Sequence, residues 1–400
     1  MELQIRQNDR ITYKMTQEIK YIWLRNIALL SICGFLCYSL FPLPPITWRL
    51  LLLGTAFLVV VPNLSSLSKV EKIIIAFWTL NLIYFFVSYF WFVSPSTTLI
   101  GNISVSLLSI PLFMTLGREG VMTSRFYLIA TIALVLSSLI YYKTMEAQSL
   151  AKLIGGNEDI TNNGSVAFLC ILPIIFVIKN RYLSYGVLLI SVYFLLDAAK
   201  RGNIICAIPV LLLFIIYYFR NKQIRVSEKA IFITFFLFTV SWGYKQFEKN
   251  EFLQMRMEQT MEGNSSGRDI LYGNAWKVYS ESQSMKNLIL GYGFQATYYN
   301  EQIGNYAHND WLELLVDNGI IGALLYLSIF IQLFKIIRSE EDIQKRFLLI
   351  SIVSIWFLKS TFSMSFTGDT TFILYLLFGY VTQDDDALEE NQLESYPNEY

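Results

Sequence analysis

Apolar runs, most of them 16 to 22 residues long, recur along this chain, and they constrain its fold more than any other feature. At about 1.5 Å per helical residue, such a run matches a hydrocarbon core of roughly 30 Å. They fall at about 21–41, 47–64, 72–93, 98–116, 125–142, 164–178, 182–198, 203–219, 230–246, 308–335, 346–363 and 368–382. This spacing predicts an all-α integral membrane protein with about twelve transmembrane helices. Composition agrees: charged residues are 16% of the chain, against roughly 25% in soluble domains.

Charge placement orients the spans. With a cytoplasmic N-terminus, the inward gaps carry Lys69 and Lys72, Arg118 and Arg125, Lys179 and Arg181, Arg220 to Lys229, and Lys335 to Arg346. The short outward gaps are nearly bare, as the positive-inside rule requires. Lys143 and Lys152 depart from it, and Lys200-Arg201 depart in a way that calls for a reason. The organisation expected is a cytoplasmic tail over 1–20, nine helices over 21–246, one large outward loop over 247–307, three helices over 308–382, and an acidic cytoplasmic tail over 383–400. Twenty polar residues precede the first span, so the N-terminus does not read as a cleavable signal. The outer loop is long for a plain connection, and Asp269 to Tyr279 within it reads as an amphipathic helix, lying on the membrane or on the bundle.

Several function classes fall away. Formal net charge is zero, which gives no case for nucleic-acid binding. One histidine and no carboxylate cluster argue against a metal site, and no cofactor motif is present. The four cysteines lie in apolar runs without zinc or disulfide spacing.

The single histidine, His308, stands where the outer loop meets the tenth span. Asn309 and Asp310 are good caps, and Asp310 with Glu313 resembles a capping box. A helix from His308 to Lys335 would be roughly 42 Å long, so its first turns stand outside the hydrocarbon. If that helix includes His308, Leu312, Leu315, Gly319 and Gly322 share its face, and the two glycines would admit a close neighbouring helix. His308 either helps cap the helix or serves as a general base, since imidazole titrates near neutrality. The Asp310, Glu313, Asp317 stripe reads most simply as a solvated face, with Glu313 as a second option for orienting His308. Arg201, Arg256 and Arg268 gather on the same outward side. Their planar forks suit a phosphate or diphosphate; the plainer reading is contact with lipid headgroups. Lys359 sits inside span eleven, and the sequence assigns it no role beyond snorkelling or a place in the site.

These residues resemble a known superfamily: O-antigen ligases, Wzy-type O-antigen or capsule polymerases, and protein O-oligosaccharyltransferases. His308-Asn309, nine residues, Gly319, two residues and Gly322 fit the ligase pattern. Ser266-Gly267-Arg268, Trp276 and Gly291-Tyr292-Gly293 are similar to the family's preceding loop. Lys200-Arg201-Gly202 is similar to its Ser-Arg-Gly, with Lys for Ser. The resemblance implies a GT-C-like, metal-independent, inverting glycosyltransferase of the bacterial inner membrane, with both termini cytoplasmic. Its donor would be an oligosaccharide on undecaprenyl diphosphate, within membrane lipid. Arg268 and Arg201, with Arg256, would hold the diphosphate; His308 would take the acceptor proton; Lys200, Asn309 and Glu313 would support them. Gly-Tyr-Gly followed by His-Asn-Asp-Trp-Leu-Glu is closer to the polymerases. That reading implies a lipid-linked acceptor and a chain-length regulator; a ligase would use lipid A-core instead. A polysaccharide or lipid-linked-sugar transporter is the alternative of another class.

Overall fold

Each of the twelve apolar runs is helical in the computed structural model, which describes residues 2–41, 44–91, 95–154, 162–222, 224–263 and 267–383. No strand occurs among them. The helices are α1 (Glu2–Leu40), α2 (Pro45–Val60), α3 (Lys69–Trp91), α4 (Thr97–Arg118), α5 (Ser124–Ile154), α6 (Ser165–Ile171), α7 (Arg181–Asp197), α8 (Arg201–Arg220) and α9 (Val226–Lys249). Short helices follow: α10 (Glu251–Met261), α11 (Arg268–Ser280), α12 (Met285–Leu290) and α13 (Ala296–Tyr299). The last helices among the described residues are α14 (Asp310–Ser339), α15 (Ile343–Phe362), α16 (Phe372–Tyr375) and α17 (Phe378–Val381).

Among the described residues, eight helices are long and apolar enough to cross a membrane: α1 to α5, α8, α9 and α14. The chain is an all-α integral membrane protein. The other four runs form helices that are shorter, more charged or broken, two of them (α7 and α15) close to the expected bounds. Helix α7 has only 17 residues. Helix α15 has 20 but carries Lys345, Arg346 and Lys359. The run over 164–178 breaks at Pro173, which lacks a backbone donor; α6 gives way there to a buried 3-10 turn, Leu172–Phe176. The last run splits into a 3-10 turn (Asp369–Thr371), α16 and α17, packed against α4 and α15. These broken segments are short because they line the protein interior rather than lipid.

Helix α4 is the most enclosed of the eight, with 83% of its apolar window buried. The Ser106 hydroxyl meets that of Thr371 at 2.9 Å. Helix α1 runs from Glu2 through the expected tail into the first apolar run, whose membrane-length part begins at Glu18. Residues 384–400, most of the expected acidic tail, and Ser266 lie outside the described residues.

At the end of the bundle where α1 and α4 meet, Arg118 donates to both oxygens of the wholly buried Glu71 at 2.8 and 2.9 Å. The opposite end carries α10 to α13. Helix α11 matches the expected amphipathic segment to within a residue. Its Leu271, Ala275, Val278 and Tyr279 pack with Ile303, Ala307 and Val316, so it lies on the bundle.

Candidate active site at the loop end of the bundle

Helix α14 starts at Asp310, and His308 lies outside it. Asn309 is the cap: its Oδ1 accepts from Trp311 N at 3.0 Å and Leu312 N at 3.1 Å. His308 has φ of 53°, left-handed for a residue with a side chain. That conformation costs about 1–2 kcal/mol, so its surroundings must impose it. They do so at three consecutive residues. Ala307 N–H donates to Glu313 Oε2 at 2.8 Å. The His308 carbonyl accepts from the Tyr272 hydroxyl at 3.2 Å. Asn309 Nδ2 donates to the Thr361 carbonyl at 2.9 Å. The expected helical face shared by His308, Leu312, Leu315, Gly319 and Gly322 therefore does not form.

His308 is half-buried, and its pKa is lowered from 6.5 by that burial, then by the positive charges of Arg268 and Lys200. All three effects favour neutral imidazole near neutral pH, a form able to accept a proton. Arg268 opens α11 and donates to the Phe362 carbonyl at 2.5 Å. Lys200 reaches Asn163 Oδ1 at 2.6 Å. Arg201, next in sequence, opens α8 and donates through Nη1 to the Arg256 carbonyl at 3.1 Å. The Arg256 guanidinium carbon stands 5.9 Å from the centre of the Phe252 ring. The structure thus places Arg268 and Lys200 within electrostatic reach of His308, and joins Arg201 to Arg256. Lys200-Arg201 links the two groups, which gives this pair a structural role.

The carboxylate stripe is the main correction. Asp310, Glu313 and Asp317 are 0%, 4% and 7% exposed, not solvated. Asp310 accepts from Ser365 N at 2.9 Å and from the Tyr326 hydroxyl at 3.3 Å. Glu313 accepts from Thr297 Oγ1 as well as Ala307 N. Asp317 accepts from Gln295 N at 2.9 Å and Thr297 N at 3.2 Å. No capping box forms, because Asn309 is the cap and Glu313 reaches the N–H of Ala307 rather than that of the cap. Glu313 therefore acts on the backbone ahead of His308. Buried loop N–H groups need acceptors, and three carboxylates on α14 provide them.

The glycine pair also works differently from expectation. Gly319 has φ of 65° and interrupts α14. The break frees carbonyls that a continuous helix would use, and two of them receive the loop: Tyr292 N donates to Val316 O at 2.8 Å and Gly293 N to Asp317 O at 3.0 Å. Gly319 admits the loop backbone rather than a helix. Gly322 faces Asn318 of its own helix.

Sequence reasoning missed Tyr272, Gln295, Thr297 and the Thr361 to Phe366 segment. Gln295 is buried, with Oε1 accepting from Ser96 N at 2.6 Å and Nε2 donating to the Tyr306 hydroxyl at 2.7 Å. Only the i, i+3, i+7 spacing of the three carboxylates signalled such a loop clamp. Lys359 is 4% exposed, so it does not snorkel; its charge acts on Asp310.

Residues 186–327 match the family model Wzy_C, described as O-Antigen ligase. The match covers less than half of the chain but spans Lys200, Arg201, Arg256, Arg268, His308, Asn309, Glu313 and Gly319. It agrees with the resemblance of this stretch to the O-antigen ligase and polymerase superfamily. No curated protein matches the chain.

Proposed function

We propose that this multi-pass membrane protein is a polymerase of surface polysaccharide, either O-antigen or capsule. It moves a glycan from undecaprenyl diphosphate to the next lipid-linked repeat unit, at the outer face of the bacterial inner membrane, with both termini cytoplasmic. The observation that carries this reading is His308, half-buried at the loop end, with its backbone fixed by Glu313, Tyr272 and Thr361 and its pKa lowered by burial, Arg268 and Lys200.

The chemistry follows from those groups. The acceptor hydroxyl oxygen attacks the anomeric carbon of the donor sugar. His308 takes the hydroxyl proton as the new C–O bond forms. The bond from that carbon to the diphosphate oxygen breaks, and the electron pair leaves with the diphosphate. Arg268 and Arg201, with Arg256, hold the diphosphate and stabilise the charge that grows on it. His308 then releases its proton to water. Direct displacement inverts the anomeric centre. The leaving group is already good, so the step runs without metal assistance. Asn309 and Glu313 set the backbone around His308, and burial, with Arg268 and then Lys200, lowers the pKa of its imidazole. A chain-length regulator would bind alongside.

The second reading is an O-antigen ligase, with lipid A-core as acceptor. It is favoured by the description of the matching family model. The deciding experiment is the size profile of surface glycan in a strain lacking the protein. Lipid A-core bearing a single repeat supports the polymerase. Bare core, with long chains held on undecaprenyl diphosphate, supports the ligase. Intact polymer in a well-expressed His308→Ala strain defeats both and leaves transport.

A further inference from the structure

A second feature at the loop end lies outside the groups used above. A cleft of about 340 Å³ opens between the C-terminal ends of α7 and α9 and the start of α10. Its walls carry Tyr193, Asp197, Gln246, Lys249, Asn250 and Glu251. We propose that this cleft is a saccharide subsite that takes one or two pyranose rings of the donor glycan, beyond the sugar that reacts. The proposal rests on the reading of the chain as a glycan transferase.

The lining suits a sugar better than the other ligands at such a surface. A pyranose offers rows of hydroxyls that both donate and accept, and a C–H face that packs on an aromatic ring. The cleft supplies carboxylates to accept, an ammonium to donate, and amides that do both. The Tyr193 ring is 38% exposed. It is backed by Trp242, with ring centroids 5.9 Å apart, so an aromatic platform is available at low entropic cost. Asp197 Oδ2 accepts from the Tyr142 hydroxyl at 2.6 Å, which fixes the orientation of a carboxylate that remains exposed. Asn250 is likewise fixed, with Oδ1 accepting from Leu253 N at 2.9 Å. A phosphate would meet two carboxylates and one ammonium, a poor balance for an anion. A lipid tail would meet a wall that is about half polar, with charged groups on it. The volume lies near the lower end of small-molecule sites, about 300–1,000 Å³, which suits a short saccharide.

Its position fits a donor glycan. Asp197 lies three residues before Lys200. Glu251 begins the helix that carries Arg256, five residues on, or about 7.5 Å along the axis. A diphosphate held at Arg201 and Arg268 would leave its glycan within reach of the cleft.

Binding can be read without turnover. The purified His308→Ala protein is titrated with the repeat oligosaccharide released by mild acid from the strain's own lipid-linked intermediates, followed by saturation-transfer NMR. The expected result is binding with Kd on the order of 1 mM. It should weaken about tenfold when Gln246→Ala and Glu251→Ala are added, as the loss of one or two hydrogen bonds implies. The near-isosteric Glu251→Gln, which preserves shape, should also weaken it. Undiminished binding in these variants, or no binding to the His308→Ala protein, would overturn the proposal. A wild-type protein that binds the saccharide but transfers nothing would instead sink the transferase reading and leave the subsite standing.

Discussion

Gly319 and Gly291 meet backbone to backbone. A Cβ on Gly319 would stand 2.6 Å from the Gly291 nitrogen and 2.4 Å from the Ile289 carbonyl oxygen. A Cβ on Gly291 would stand 2.3 Å from the Asp317 carbonyl oxygen. The two contacts join the loop to the break in α14, eleven residues beyond His308, and Glu313 between them accepts from the Ala307 N–H just ahead of the histidine.

Gly319→Ala should therefore combine a strained φ with a clash against backbone that has no rotamer to yield. The loss should exceed the roughly 1–2 kcal/mol of the left-handed conformation alone. Gly304→Ala is the control, with φ of 63° and open space around it, and should cost only the conformational part. Thermal unfolding in detergent and protease cleavage within 281–307 measure the difference. Equal effects from the two substitutions would contradict the backbone contact.

Glu313→Ala removes both acceptors for the Ala307 N–H and the Thr297 hydroxyl. Each buried group left unpaired costs about 1–3 kcal/mol. Because Glu313 sets the chain ahead of His308, kcat should fall while KM for the lipid-linked donor stays near its original value. Glu313→Gln keeps one carbonyl acceptor and should recover part of the rate. A change confined to KM would argue against this positioning role.

The pH dependence follows from His308. Burial, Arg268 and Lys200 lower its pKa from 6.5, and only the neutral form accepts a proton. Transfer should rise with pH through that lowered value and level off at a lower pH than an ordinary imidazole would give. Lys200→Met removes one repelling charge while keeping most of the stem. It should move the acid limb to higher pH. The same linkage applies to stability: the unfolded chain binds the extra proton first, so the contribution of His308 is full above about pH 6.5 and is lost as pH falls toward the folded-state value. An acid limb unmoved by Lys200→Met would show that Lys200 does not tune the base.

Arg268→Lys preserves charge but loses the planar fork. The Phe362 carbonyl would lose its guanidinium partner, and the proposed diphosphate would lose a planar, forked donor. Transfer should fall by about tenfold or more, since a charged hydrogen bond is worth roughly 1.5–3 kcal/mol. Arg201→Lys should behave in the same direction. Full activity in either lysine variant would mean that charge alone suffices there.

Asp310→Ala should be among the most destabilising changes at this end. It leaves the N–H groups of Ser365 and Phe366 without their buried acceptor, and the Tyr326 hydroxyl with Ser360 alone to receive its proton. Differential scanning in detergent should show a clear loss of thermal stability, whereas Glu301→Ala, on an exposed turn of the same loop, should change little.

The sequence by itself determined the helical membrane architecture, because a lipid-spanning backbone must satisfy its own hydrogen bonds and leaves long apolar runs as a record. It also singled out His308, Arg268, Arg201, Lys200 and the glycine spacing, since rare polar residues stand out in an apolar chain. Tertiary structure alone decided what surrounds them. The spacing of Asp310, Glu313 and Asp317 is the same whether they face water or clamp a loop, and only the folded chain brings N–H groups against them, from Gln295, Thr297 and Ala307 for the latter two and from Ser365 and Phe366 for Asp310. Likewise, no local pattern distinguishes a glycine pair that admits a helix from one that breaks a helix and receives a loop. Nor does hydropathy reveal that the runs at Pro173 and Thr371 are short, buried pieces: hydropathy is nearly blind to whether an apolar residue faces lipid or protein, and the neighbours that decide it are distant in sequence.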